Sequence, residues 1–385
     1  MANVEDYLVW RSDVPFEVDP FNEVDNVVFC ELVYAAFDGI VPGPGLKEKI
    51  SLEDACELFF AKYSEEELIN KSSFTKRAPF LLQKMARSKR YGGIKMAGFV
   101  NHVDAENQTQ FAVCTFYLPD GTIYVAFRGT DDTLVGWKED FNMCFSEGTG
   151  GQLKAVEYLN KNFARTMKHL RVGGHSKGGN FAVYGCAFCK PHIKDIILEI
   201  YNNDGPGFIP EIIKSQEYKS IAKRIHRYIP DESIIGMLMH SKSKTKVVTS
   251  STHGINQHDL LSWQIERNHF ITVDKVSSTS LLIDEIITKW VASFDYDTRA
   301  AFGDVFFESL ASSGATRMSH ITKNKVKSIA ALTKEIQTLD PENQALVMDV
   351  LYKLVAVGGD SLKNTVLEKL LPIAEKLPKN VIVRK

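Results

Sequence analysis

The chain runs to 385 residues with 44% apolar and 24% charged side chains, a balance expected of a soluble globular protein and not of a fibrous or disordered one. Its 46 Lys+Arg offset 48 Asp+Glu to a formal charge of -2, so no global basic surface points to nucleic acid or an anionic membrane as partner. No apolar run approaches the ~20 residues that span a bilayer. The N-terminal MANVEDYLVW lacks the basic start and apolar core of a secretory signal, and six cysteines spread through apolar contexts fit a reducing cytoplasm.

Along the chain, EVDNVVFCELVYAAF and SLEDACELFFAKY read as helices, Ser51 standing ahead of Glu53 and Asp54 as an N-cap. From about residue 95 the pattern changes to short apolar runs separated by turns or helical stretches. FAVCTFYL and TIYVAFRG flank Pro119-Asp120-Gly121, a hairpin signal. Residues 152–168 carry Leu153, Val156, Leu159, Phe163 and Met167 at helical spacing, and LRVGGH follows as a buried strand. GGNFAVYGCAFCK predicts a helix that stops before Pro191, and the Cys186–Cys189 pair inside it, with no second ligand pair nearby, reads as core packing. DIILEIYNND is a β-branched run that ends in the turn Asp204-Gly205-Pro206-Gly207, and RIHRYIP and TKVVTSS are two more strands. After residue 280 the chain is helical again; Asp340 before Pro341 marks a helix start, with Leu346, Val347, Val350, Leu351 and Leu354 on one face. The β-α-β-α-β succession predicts an α/β fold, a mainly parallel sheet flanked by helices. Helical additions are expected at both ends, with a main domain over residues 1–295 and a C-terminal extension over 296–385.

Chemistry concentrates at Gly174-His175-Ser176-Lys177-Gly178, which fits G-x-S-x-G, a strand-to-helix turn that lifts a serine hydroxyl outward. A phosphate-binding use would need G-x-x-x-x-G-K-[ST] or G-x-G-x-x-G, and neither is present. Upstream, Arg128-Gly129-Thr130 closes a strand where a backbone N–H and the Thr130 hydroxyl can meet a developing negative charge. A base must follow the serine, and His253, His258 and His269 lie late enough; His258 is the favoured one. For the acid, Asp231 stands 55 residues after the serine and 27 before His258, behind the second strand after the elbow. Asp204, among Gly-Pro-Gly neighbours, suggests a carboxylate capping a tight turn, and Glu232 is a further candidate. Asp231 is the expected acid.

These motifs together resemble the class 3 lipases: Phe127-Arg128-Gly129-Thr130, then Trp137-Lys138-Glu139-Asp140, then the G-H-S-x-G elbow. DYLVWRSDVPF, PFNEVDN, GHSKGGN, NNDGPGF, SIIGMLM and QHDLLSW are similar to a related bacterial family of lipase-like α/β-hydrolases, over roughly residues 4 to 275. The resemblance implies an α/β-hydrolase fold with Ser176 as nucleophile, Thr130 and the Lys177 N–H as oxyanion hole, and His258 as base. It also implies that His175 is structural, that Trp137 and Asp140 form a packed, hydrogen-bonded brace for the oxyanion loop, and that Leu134, Val135 and Trp137 lie where such lipases carry a lid. The expected activity is that of a serine esterase on a small-molecule or lipid acyl ester, through Ser176, Asp231 and His258, with no metal or organic cofactor. The rival readings are a non-catalytic binding or scaffold protein on the same fold and a thioesterase or peptidase with the same residues.

Overall fold

A computed structural model describes residues 1–70, 76–164, 168–312, 316–317, 338, 340–343 and 345–347. The strands are β1 (Ile50–Ser51), β2 (Lys95–Asp104), β3 (Thr109–Tyr117), β4 (Ile123–Phe127), β5 (Leu170–His175), β6 (Ile197–Asn203), β7 (Ile225–Pro230), β8 (Thr245–Val248), β9 (Ile265–Glu266), β10 (His269–Phe270) and β11 (Thr272–Val273). Nine of them form one sheet in the order β1-β2-β3-β4-β5-β6-β7-β8-β11. The hairpin through Pro119-Asp120-Gly121 pairs β3 with β4 antiparallel, as its turn residues predict. From β4 to β8 every neighbour is parallel, so the middle of a mixed α/β sheet is parallel and its edges are antiparallel.

The apolar strands β4 to β6 are buried on both faces because helices cover each. On one face lie α1 (Val4–Trp10), α2 (Glu23–Leu32), α3 (Leu52–Lys62), α4 (Glu65–Asn70) and α5 (Ala78–Ala86), whose apolar residues share a core with Tyr124, Tyr201 and Tyr228 of the sheet. The other face packs against α6 (Leu134–Asn142), α7 (Gly150–Asn162) and α8 (Lys177–Phe188), with α9 (Pro191–Lys194), α10 (Pro210–Lys214) and α11 (Gln216–Ile221) beyond. Ser51 caps α3 by accepting from the Asp54 N–H, as expected.

The N-terminal motif residues build a buried polar knot. Asp25 accepts from Arg90 Nε at 2.8 Å, from the Tyr91 hydroxyl at 2.5 Å and from the Tyr7 hydroxyl at 3.1 Å, which ties α1 and α2 to the entrance of β2. Such a charge is tolerable inside only because it is paired and fully hydrogen-bonded.

Two expectations are corrected. The helix read over 152–168 ends at Asn162, because Phe163 turns to extended backbone and places its ring in the core. Its Leu153, expected on the buried stripe, is 56% exposed. Cys186 and Cys189 are both buried free thiols, and all six cysteines are free. After the sheet, α12 (Ser278–Ala292) and α13 (Tyr296–Ser312) follow, and α13 lies on α6. Phe302 and Val305 of α13 join Phe294, Val347, Phe141 and Trp290 in a small satellite core. Asp340 accepts from the N–H groups of Glu342 and Asn343, the cap expected there, while Val350, Leu351 and Leu354 lie outside the described residues. Among the described residues no helix is long and apolar enough to cross a membrane.

Candidate active site

The elbow is made by steric necessity. β5 runs straight into α8 with Ser176 between them at φ 56° and ψ -132°, a backbone conformation that L side chains rarely adopt. The reversal is tight enough that a methyl on Gly174 would lie 2.2 Å from the Gly178 backbone, and one on Gly178 would lie 2.2 Å from the Phe127 carbonyl. Only glycine fits at these two positions, which accounts for half of the motif. Lys177 opens α8, so its N–H has no intrahelical acceptor and remains a donor at the positive end of the helix.

His258, at the end of a short 3₁₀ turn, holds its ring 4.4 Å from that of His175, the residue before the serine, the two planes tilted by 41°. Its Nδ1–H donates to Asp204 Oδ2 at 2.6 Å. Asp204 follows β6, the direct neighbour of the elbow strand, and sits at φ 49° with 1% exposure. Its other oxygen, Oδ1, accepts from the Ser233 hydroxyl at 2.5 Å and the Gly236 N–H at 3.1 Å. The following turn touches the elbow too, since a methyl on Gly205 would lie 2.4 Å from the Ser176 carbonyl oxygen.

The acid expected by chain order, Asp231, is therefore not the carboxylate that meets His258. Asp231 is half-buried after β7 and contributes its backbone, donating to the Val248 carbonyl at 3.0 Å and accepting from the Ser277 N–H at 2.6 Å. Glu232 bonds the N–H of Gly254 and faces His253 instead. His253 is 92% exposed at its side chain, and His269 is also exposed beside Glu23, so neither approaches the elbow as His258 does. A signal for Asp204 was present in the sequence: it ends the strand adjacent to the elbow strand, and its Gly-Pro-Gly neighbours leave no bulk between the carboxylate and the serine turn.

Around the end of β4, the Thr130 hydroxyl donates to Asp140 Oδ2 in a short bond. Burial pushes the Asp140 carboxyl up to about 6, against the opposing pull of nearby Lys177 and of the Thr130 bond. The preceding residue, Glu139, is wholly buried and accepts from Lys177 Nζ at 3.1 Å, from the Gln110 N–H at 2.9 Å and from the Gly151 N–H at 2.6 Å. The loop after β4 and the first residue of α8 are thus held by adjacent carboxylates of α6. Trp137, expected to bond Asp140, does not: its indole N–H has no partner among the described residues, and Asp140 braces Thr130 instead. Leu134, considered as part of a lid, is 7% exposed and packs on Leu310 of α13.

His175 is buried, and burial holds its ring well below the ordinary histidine range, so it stays neutral beside His258. Its Nδ1 hydrogen-bonds the Tyr34 hydroxyl at 3.1 Å, an N-terminal residue that nothing in the sequence marked. Among the described residues no cluster of His, Cys, Asp and Glu is arranged to hold a metal ion.

A serine on a strained strand-to-helix turn, beside a histidine bonded to a buried aspartate, on a mixed sheet that is parallel at its centre, is an arrangement shared with lipase-like proteins. The comparisons agree at that level: residues 85–308 match the Mbeg1-like family, and the chain belongs to this lipase-like family. No curated protein and no solved structure matches the chain.

Proposed function

We propose that the chain is an α/β-hydrolase acting as a serine acyl hydrolase on carboxylic esters, with Ser176 as nucleophile, His258 as general base and acid, and Asp204 as the acid that orients it. The observation that carries this reading is the 2.6 Å bond between His258 Nδ1 and Asp204 Oδ2, made next to a serine held at positive φ. A carboxylate on Nδ1 leaves Nε2 as the basic nitrogen, free to take the Ser176 proton as Oγ attacks the acyl carbon. The same proton passes to the departing alkoxide, leaving an acyl-serine. Water then attacks that ester, giving its proton to Nε2 and its oxygen to the acid product, and the proton returns to Ser176.

The oxyanion of each tetrahedral intermediate is assigned to the backbone N–H of Lys177 and to Thr130. The Asp140 bond takes the Thr130 hydroxyl proton, so it is the backbone N–H of Thr130, in a loop pinned by that bond, that offers the second donor. A fluorophosphonate probe tests the reading. Wild-type protein should be labelled covalently and Ser176→Ala should not; an unlabelled, folded wild type would mean a binding protein on a hydrolase-like frame.

A further inference from the structure

An open cleft of about 420 Å³ lies among the N-terminal helices, within the 300–1,000 Å³ range of ordinary ligand pockets. Its apolar lining is Tyr34, Ala36, Phe59, Tyr63, Leu68 and Pro79, of which Phe59, Leu68 and Pro79 are buried. The charged residues that also border it, Lys62, Glu67 and Lys76, are exposed, so the floor is apolar and the rim is polar. By contrast, the cavity between α6, α12 and α13 measures about 20 Å³, room for a single water and not for a ligand.

Tyr34 joins the cleft to the elbow. Its side chain lines the cleft, while its hydroxyl hydrogen-bonds His175 Nδ1 at 3.1 Å. A methyl placed on Gly129 would lie 2.3 Å from that hydroxyl and 3.0 Å from Ser176 Cβ, so Tyr34 and the serine are neighbours across Gly129, in the oxyanion loop. The cleft therefore shares a wall, the Tyr34 side chain, with the serine turn. Every residue lining the cleft precedes residue 85, so the cleft lies outside the segment matched to the family.

We propose that this cleft receives the apolar acyl chain of the ester that Ser176 attacks, making the substrates chain-bearing acyl esters and not acetates, with Ala36 and Tyr63 setting the chain length accepted. This rests on the hydrolase reading above. An apolar floor gains from each methylene it removes from water, and a polar ligand would find no buried polar partner there. Glu67 is engaged with Ser64, and Lys62 donates to the Asp38 carbonyl at 2.7 Å, so two of the three rim charges are already satisfied.

The test is a series of p-nitrophenyl esters from acetate to palmitate, run on wild type, Ala36→Phe and Tyr63→Ala, and read as kcat/KM ratios between chain lengths so that the fraction of folded enzyme cancels. Wild type should prefer octanoate to acetate by roughly tenfold or more. Ala36→Phe should cut that ratio by about the same factor, and Tyr63→Ala should move the optimum to longer esters. If both variants keep the wild-type chain-length profile while wild type still reacts with fluorophosphonate, the cleft assignment is overturned and the hydrolase stands. If wild type neither hydrolyses any ester nor takes the probe, both readings fall together.

Discussion

β6 and β7 lie side by side and run in the same direction, and each ends in an aspartate that leads into a turn, yet the two aspartates do unlike things. Asp204 is buried, sits at positive φ and spends both carboxylate oxygens, one on His258 and one on Ser233 and Gly236. Asp231 is half-buried and is held through its backbone by Val248 and Ser277. The loop that Asp231 opens is the one that reaches back to hold Asp204. The end of β6 supplies the carboxylate that meets His258 and the loop after β7 supplies its clamp, so the position favoured by chain order acts on that carboxylate only through its loop.

Exchanging the two side chains for asparagine breaks or confirms this contrast at the largest scale. Asp204→Asn replaces the acceptor for the His258 Nδ1 proton with an amide, which allows the wrong imidazole tautomer, and losses of the order of 10⁴-fold in turnover accompany that change in the best-studied triad. Asp231→Asn should leave ester hydrolysis within about threefold of wild type, because no turnover-determining proton or charge rests on its carboxylate in this arrangement. Steady-state rates on a short p-nitrophenyl ester, with circular dichroism to confirm folding, decide between them. A collapse of Asp231→Asn with Asp204→Asn active would reverse the roles.

Asp25 is buried as deeply as Asp204 but faces no catalytic group, which separates burial from chemistry. Asp25→Asn would take the close carboxylate from Arg90, whose side chain has no exposed surface and would keep only Asp19 at 4.0 Å, a loss that typically costs about 3–5 kcal/mol. In a chain of this size that corresponds to a fall in Tm of roughly 5 °C. The residual folded fraction should still take the fluorophosphonate probe at the wild-type rate per folded molecule. A variant that melts normally but loses labelling would move Asp25 into the active site.

At the end of β4, Asp140 does for Thr130 what Asp204 does for His258: a carboxylate from another element fixes a group that acts. Thr130→Val removes the hydroxyl but keeps both backbone donors, so turnover should fall about tenfold at nearly constant KM. The whole loss of an oxyanion donor costs about 10²–10³. Thr130→Ser, which restores the hydroxyl, should recover the rate. A fall of 10³-fold in Thr130→Val would make the hydroxyl itself the donor.

How much of this could be read from the residues divides along the reach of local physics. The elbow was legible because its glycines answer contacts within five residues, and the β3–β4 hairpin because Pro-Asp-Gly makes its own turn. The place of His258 after the last parallel strand was legible from chain order; its bond to Asp204 was not. Which carboxylate meets it was harder to read, because Asp204 and Asp231 both end strands after the elbow; the parallel register of β5, β6 and β7 brings Asp204 to the histidine, as its small neighbours hinted. Tyr34 was illegible for a related reason: its bond to His175 spans 141 positions, and no periodicity within α2 or after it singles that tyrosine out. The helix over 152–168 failed at its C-terminal end because the pull of Phe163 into the core overrode the continued apolar spacing.

A third carboxyl near the histidine loop, Glu31, carries the smallest expected effect and the finest distinction. It lies on α2 with Asp25, but where Asp25 has Arg90 and two tyrosines, Glu31 has burial, and burial together with the nearby Asp259 charge pushes it up to about 8 from an ordinary value near 4.5. The folded protein thus keeps the proton on Glu31 over a range in which the unfolded chain has lost it. Between those two values the native state binds more protons than the unfolded one, so the contribution of Glu31 to stability falls as pH rises, fully favourable below about 4.5 and gone above about 8. Glu31→Gln removes the ionisation while keeping the shape, so the variant should gain on wild type as pH rises, by at least about 1 kcal/mol between pH 5 and pH 8.5. Denaturant midpoints at the two pH values measure it. Equal midpoint differences at both would mean that Glu31 is ionised in the folded protein, with Arg77 close enough to pair it, and Asp25 and Glu31 would then be of one kind.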